Sequence, residues 1–139
     1  MAFRAIYKNA TKKVVCPFDT EEPKSVFVIS EALPYEERNR IRDEYSEYSR
    51  EIGGRTVFRN YAAKRAVDIV RLGLKGVDNF FVNGEPFVLK FDENGLVSKE
   101  SIQSLSIPLP PSTLYDTLID WLGDEIWSVN RLSETEVKN

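Results

Sequence analysis

The chain has 139 residues, 42% hydrophobic and 29% charged, with a net charge of −3, which suits one soluble domain with its own core. The acidic balance and the lack of a concentrated Lys/Arg run exclude a protein built mainly to bind nucleic acid. With no histidine and a single cysteine, Cys16, there is no intramolecular disulfide, no Cys–His pair and no ordinary zinc site.

The opening residues lack the 7–15-residue apolar segment of a signal peptide, and no apolar run approaches the ~20 residues of a membrane helix. The expected setting is a reducing cytosol, without a membrane partner.

The first third reads as strands. FRAIYK (3–8) alternates apolar and polar residues, KNATKK (8–13) suits a turn, and VVCPF (14–18) is a short strand ending at Pro17. SVFVISEAL (25–33) holds four consecutive apolar residues, Val26 to Ile29, the pattern of a buried strand. The expected fold is α+β: a small N-terminal antiparallel sheet within residues 3–33, packed against three main helices. The whole chain forms one domain, strand-rich over 1–33, helical over 34–130, with a short tail at 131–139.

The first expected helix spans 34–52. Pro34 suits its first turn and Glu36 and Glu37 favour its positive N-terminus. Tyr35, Ile41, Tyr45, Tyr48 and Ile52 form a narrow apolar stripe, and Gly53-Gly54 ends it. The second spans 56–76, with Phe58, Ala62, Ala66, Ile69, Val70, Leu74 and Val77 on one face and Gly76 as its C-terminal stop. Gly73 inside it costs ~1 kcal/mol against Ala.

Asn83-Gly84 then marks a hairpin between 80–82 and 86–91, and DENG (92–95) marks a second turn. Ser98 caps a short helix running through Leu105, and IPLPPS (107–112) is an extended connector. The last main helix spans 112–130, with Leu114, Leu118, Trp121, Leu122, Ile126 and Val129 on one side, widened by Tyr115, Ile119 and Trp127. In the closing LSETEVKN, Ser133 and Glu136 have capping-box spacing and Leu132 and Val137 staple spacing, so a further helix is expected to begin there. The expected core is Val26, Val28, Phe58, Ala62, Ala66, Ile69, Val70, Leu74, Leu118, Leu122 and Ile126.

No motif assigns a catalytic, cofactor-binding or metal-binding residue. FDENG resembles part of a calcium loop, but the later ligands are out of register, and a turn is the simpler reading. No GxxxxGK[ST] or GxGxxG phosphate cradle is present. Glu36, Glu37, Asp43, Glu44 and Glu47 read as a solvated helix face, with Glu36–Arg40 as an i,i+4 pair and Glu47–Glu51 unfavourable. Asp116, Asp120 and Asp124 recur every four residues beside Glu125; this strip reads as a solvated face, and its aligned like charges also suit a basic partner. Cys16 reads as a small packed residue. A small carboxylate enzyme is the reading that such acidic pairs would support. Against it, aromatic residues at helix surfaces favour protein binding, with Tyr35, Tyr45, Tyr48, Trp121 and Trp127 as anchors, joined by Leu132 and Val137 in the tail.

The order of features has a family likeness. An apolar strand leads into a helix in VFVISEALPYEERNRIRDEY. A helix runs into a turn bearing glycine and acid in VRLGLKGVDNFFVNGEPFVLKFDENG. The end, LPPSTLYDTLIDWLGDEIWSVNRLSETEVKN, is a helix followed by an Asn-x-Leu-Ser-x-x-Glu-x-Lys-Asn tail at 130–139. Over residues 26–139 the chain resembles the tail assembly chaperones of long-tailed bacteriophages.

The resemblance implies a non-enzymatic protein of the host cell cytoplasm, without cofactor. Its implied partners are the tape measure and tail tube proteins, with self-association also compatible. It further implies a longer product made by ribosomal frameshifting, in which the helix started at Ser133 would continue. The alternative is a structural subunit of the virion, such as a head–tail joining or tail completion protein.

Overall fold

The computed structural model describes residues 10–51 and 55–138, and the surroundings of side chains at 10–44 and 62–130. The expected strand at 3–8 lies outside these, as does the side chain of the expected core residue Phe58.

Three strands form an antiparallel sheet in the order β1-β2-β3. β1 is Thr11–Val15, β2 is Val26–Ser30 and β3 is Leu74–Asp78. Residues 11–13, expected in a turn, are therefore strand: Thr11 pairs with Ser30 and Lys13 with Val28. The ladder is prolonged at both ends, by Glu31 N to Ala10 O at 2.9 Å and Cys16 N to Ser25 O at 2.8 Å.

β3 corrects the expected second helix. The helix α2 is Arg55–Gly73, and the chain turns directly into the sheet at Leu74. Gly76 is thus a strand residue opposite Val28 and not a helix stop. Leu74 and Val77 are three apart, which suits a helix face, yet the same spacing arises across a strand carrying one extra residue. Ile29 pairs with Leu74 and Val28 with Gly76, so Lys75 is that residue, a bulge.

β2 shows which half of its apolar run faces inward. Phe27 and Ile29 are fully buried, whereas Val26 and Val28, expected in the core, are half-buried. In a strand alternate residues face opposite ways, and a run apolar on both faces does not reveal which is inner. The inner face meets an aromatic cluster: Phe27 lies 5.9 Å from both Phe80 and Trp121, Phe18 meets Trp121 edge-on at 5.6 Å, and Phe80 meets Phe87 at 5.5 Å.

Helix α1 is Tyr35–Glu51, and it buries Ile41. α2 packs along both α1 and α4, the latter being Leu118–Lys138. Ala66, Ile69, Val70, Leu74, Leu118, Leu122 and Ile126 are buried as expected, while Ala62 is half-buried. Ile126 packs over Gly73: a Cβ at position 73 would stand 2.5 Å from Ile126 Cγ2. The glycine that weakens a helix on propensity grounds allows the end of α2 to lie against α4.

Between β3 and α4 the chain makes a hairpin, a turn and a short helix. β4 (Phe81–Val82) pairs with β5 (Glu85–Pro86) through Asn83 and Gly84, with φ of 52° and 80°, left-handed values that this dipeptide tolerates. Asp92 organises the next turn: its Oδ1 accepts from Asn94 N at 2.9 Å and Leu96 N at 3.1 Å, and its Oδ2 from Arg71 Nη2 at 2.8 Å. The Asp92 carboxylate of the FDENG loop is therefore committed to the turn. Ser98 caps α3 (Lys99–Leu105), accepting from Ser101 N at 3.2 Å.

Residues 107–117 are a tight loop and not the extended connector expected. Leu109 N donates to Asp116 O and Leu118 N to Ile107 O, both at 2.9 Å, closing it on itself. α4 therefore begins at Leu118, six residues later than expected. It then runs through Ser133 and Glu136 to Lys138 as one helix. The backbone at Ser133 is already helical, so the expected helix start there is corrected to a helix interior.

Candidate functional site

The described surface has a groove of about 370 Å³ between α2, α4 and the 107–117 loop. It exists because the residues between the helices are small. Ala62, Ala63 and Ala66 line it from α2 and Gly123 from α4. A Cβ at Gly123 would stand 3.1 Å from the Cα and Cβ of Ala66, so the helices approach here more closely than larger residues would allow.

The loop end is built by hydrogen bonding. Thr117 Nα donates to Asp120 Oδ2 at 3.2 Å, and Asp120 N donates back to Thr117 Oγ1 at 3.3 Å. This reciprocal pair is a capping box with Asp in the acidic position, and it starts α4. Four residues before Thr117, Thr113 Oγ1 reaches Pro110 O at 2.9 Å and Tyr115 O at 2.8 Å. Tyr115 OH donates to Asp124 Oδ2 at 2.5 Å, tying the loop to the second turn of α4. That bond, helped by partial burial, pushes the Tyr115 phenol up to about 12.

Three carboxylates, Asp116, Asp120 and Asp124, share the lining. Asp116 belongs to the loop and not to the helix, so the expected strip is not three turns of one helix. The loop nonetheless brings all three to one groove. Among the described residues none of the three is in an ion pair. Among the described residues the cation lining the groove is Arg65, with its guanidinium 4.7 Å above the Trp127 ring. Leu114 lines it too and is 98% exposed, although the sequence pattern placed it on the buried side of the last helix.

The expected anchors are dispersed. Tyr35 is 65% exposed, with the Arg38 guanidinium 5.7 Å from its ring centre. Trp121 is 4% exposed and packs on Phe18 and Phe27; as a surface anchor it is corrected to a core residue. Trp127 is half-buried beneath Arg65. The side chains of Tyr45, Tyr48, Leu132 and Val137 lie outside the described residues, though their backbone is helical.

Of the other acidic candidates, Glu37 and Glu44 have a local partner. Arg40 bonds Glu37 and Glu44 at 3.0 and 3.1 Å, replacing the expected Glu36–Arg40 pair. Glu47 and Glu51 lie outside the described side chains. Cys16 is buried, and burial raises its thiol above the ordinary range. Sequence reasoning missed Leu114, whose neighbours Pro110, Pro111 and Thr113 are the loop signal that separates it from the helix. It also missed Thr117-x-x-Asp120, a legible capping signature.

Among the described residues no helix is long and apolar enough to cross a membrane. Comparison with protein-family models, curated proteins and solved structures gives no match to this chain.

Proposed function

We propose that this chain is a non-enzymatic assembly chaperone for the tails of long-tailed bacteriophages, acting in the host cytoplasm on the tape measure and tail tube proteins. The resemblance over residues 26–139 supports this reading. The observation that carries it in the structure is Leu114, 98% exposed on a loop fixed by hydrogen bonds, beside a groove whose carboxylates form no ion pair among the described residues. Held at the edge of the groove, Leu114 is placed to add an apolar contact to a protein partner.

Three of the acidic residues that would argue for an enzyme have structural partners. Asp120 caps α4, Asp124 holds Tyr115, and Asp92 builds its turn. The test is co-expression with tape measure and tail tube proteins of the same phage. Capture of the tape measure protein, together with absence of the chain from purified particles, is the expected result. Its stable presence in purified particles would replace this reading with the virion-subunit alternative. A second reading frame overlapping the codons for Lys138 and Asn139 would support the frameshifted longer product.

A further inference from the structure

We infer that Asn83 is a site of spontaneous deamidation, and that the fold spares Asn94, which carries the same Asn-Gly sequence. Gly84 N attacks Asn83 Cγ and forms a new C–N bond. The bond from Cγ to the side-chain nitrogen breaks, and that nitrogen leaves as ammonia. The Gly84 N–H proton passes through solvent to the leaving amide. Water then opens the resulting five-membered imide at one of its two carbonyls, giving aspartate or isoaspartate. Either product places one more carboxylate at the hairpin tip.

The sequence offers two equivalent candidates, because glycine after Asn leaves the attacking nitrogen unshielded. The structure sets them apart by what holds that nitrogen. Asn83 and Gly84 are both exposed, and a Cβ on Gly84 would meet nothing within 4 Å. Among the described residues no hydrogen bond engages the Gly84 N–H or the Asn83 side chain. The φ of 52° at Asn83 is common to two hairpin turns, types I′ and II′, which differ by turning over the peptide between residues 83 and 84. Turning it over takes Gly84 from its φ of 80° to negative values, which glycine adopts freely. It also brings ψ of Asn83 to about −120°, where Gly84 N eclipses Asn83 Cβ and comes within reach of Cγ. The hairpin is two residue pairs long, and Pro86 in one of them has no N–H to give, so its tip opens readily.

At Asn94 the same attack is blocked. Gly95 N donates to Asp92 O at 3.1 Å, so the attacking nitrogen is already part of the turn. Asn94 N and Leu96 N both donate to Asp92 Oδ1, at 2.9 and 3.1 Å, and Asp92 N donates to Leu96 O at 2.7 Å. Arg71 Nη2 holds the other oxygen of that carboxylate at 2.8 Å. Turning the peptide between residues 94 and 95 breaks the first of these bonds and displaces the rest.

The folded chain is incubated in mildly alkaline buffer made with heavy-oxygen water, beside a second sample in denaturing urea. Trypsin, cutting after Lys75, Lys90 and Lys99, places Asn83 and Asn94 on separate peptides, and mass spectrometry times the label entering each. In urea the two sites should react at similar rates. In the folded chain Asn83 should react at least about tenfold faster than Asn94, because only Asn94 needs its turn to open first. Amide hydrogen exchange supplies a second measurement that needs no variant. The Gly84 N–H should exchange near the free-peptide rate and the Gly95 N–H at least about tenfold more slowly.

Equal rates at the two sites in the folded chain overturn the inference. So does a folded chain in which neither site reacts while both react in urea, since the hairpin then protects Asn83. The same ratio in urea as in the folded chain assigns the difference to sequence neighbours and removes the role of the fold. Protection of the Gly84 N–H equal to that of Gly95 overturns it as well.

Discussion

Asn130 Oδ1 accepts a 2.8 Å hydrogen bond from the backbone N–H of Leu33, a residue 97 positions earlier. The same side chain donates from Nδ2 to Ser30 O at 2.9 Å and to Ile126 O at 2.8 Å. Asn130 is 1% exposed, so these bonds form where water does not compete. One amide therefore joins α4 to the bend between β2 and α1, a backbone stretch that secondary structure leaves without partners.

Replacing Asn130 by Ala strands Leu33 N–H and Ser30 C=O in the interior. Asn130→Ala should cost about 2–4 kcal/mol, since each unsatisfied buried group costs ~1–3 kcal/mol. Urea unfolding should show a lowered midpoint with an unchanged slope. A loss under ~0.5 kcal/mol would mean that the bend is held by something else.

Gly73→Ala tests the contact between the end of α2 and α4. On propensity alone Ala would stabilise a helix by up to ~1 kcal/mol. The 2.5 Å approach of its Cβ to Ile126 Cγ2 should reverse the sign, with a net loss of about 1–3 kcal/mol. Ile126→Val keeps a γ methyl, whereas Ile126→Ala removes it. Gly73→Ala should therefore be less harmful on an Ile126→Ala background, and a thermodynamic cycle measures that coupling.

Two aspartates should respond to pH with opposite signs. Burial, the largest influence on Asp68, raises its carboxyl above the ordinary 3.8. A raised carboxyl favours the folded state at low pH and loses that advantage as pH rises through the folded value, so Asp68→Asn should stabilise the protein at pH 7. Asp92 is lowered, first by the Leu96 N–H, then by Asn94 N–H and Arg71. Its contribution is present above 3.8 and is lost as pH falls through the depressed value. Asp92→Asn should therefore destabilise at pH 7, with the difference from wild type shrinking below about pH 4. Unfolding at both pH values checks the two signs.

Tyr115 is expected to ionise late. In an absorbance titration of the folded chain, one phenol should titrate near 12. Tyr115→Phe should remove that step. Because its folded value is raised, the bond to Asp124 stabilises the loop fully below about pH 10, the ordinary value, and is lost as pH rises through 12. Retention of the late step in Tyr115→Phe would assign it to another tyrosine.

Local signals were legible where neighbouring residues alone determine the backbone. Asn83-Gly84 makes its hairpin and Ser98 caps α3 because each needs only its immediate sequence. The inner face of β2 was hidden because Val26 to Ile29 are apolar on both sides. β3 was hidden because its Leu74 and Val77 continue the period of α2.

The two capping signatures make the same point. Thr117-x-x-Asp120 starts a helix because the preceding loop is pinned through Pro108 and Leu109 and is not helical. Ser133-x-x-Glu136 has similar spacing, but Asn130 before it already belongs to a continuous helix. Side-chain spacing announces a start only where the chain before it has left the helix. The groove needed tertiary information altogether, since Ala66 and Gly123 meet only when α2 crosses α4.

The excursion from β3 to α3 is clipped to the body at its base. Ser25 Oγ donates to Asn79 O at 3.0 Å, while Arg71 both accepts from Val97 N at 3.0 Å and donates through Nε to Val97 O at 2.9 Å. Its far end, Asn83-Gly84, is exposed and lines no part of the groove. The molecule thus offers a graft point: a peptide tag or a small domain spliced between Asn83 and Gly84 would hang from an anchored stalk, leaving the α2–α4 face open for capture experiments.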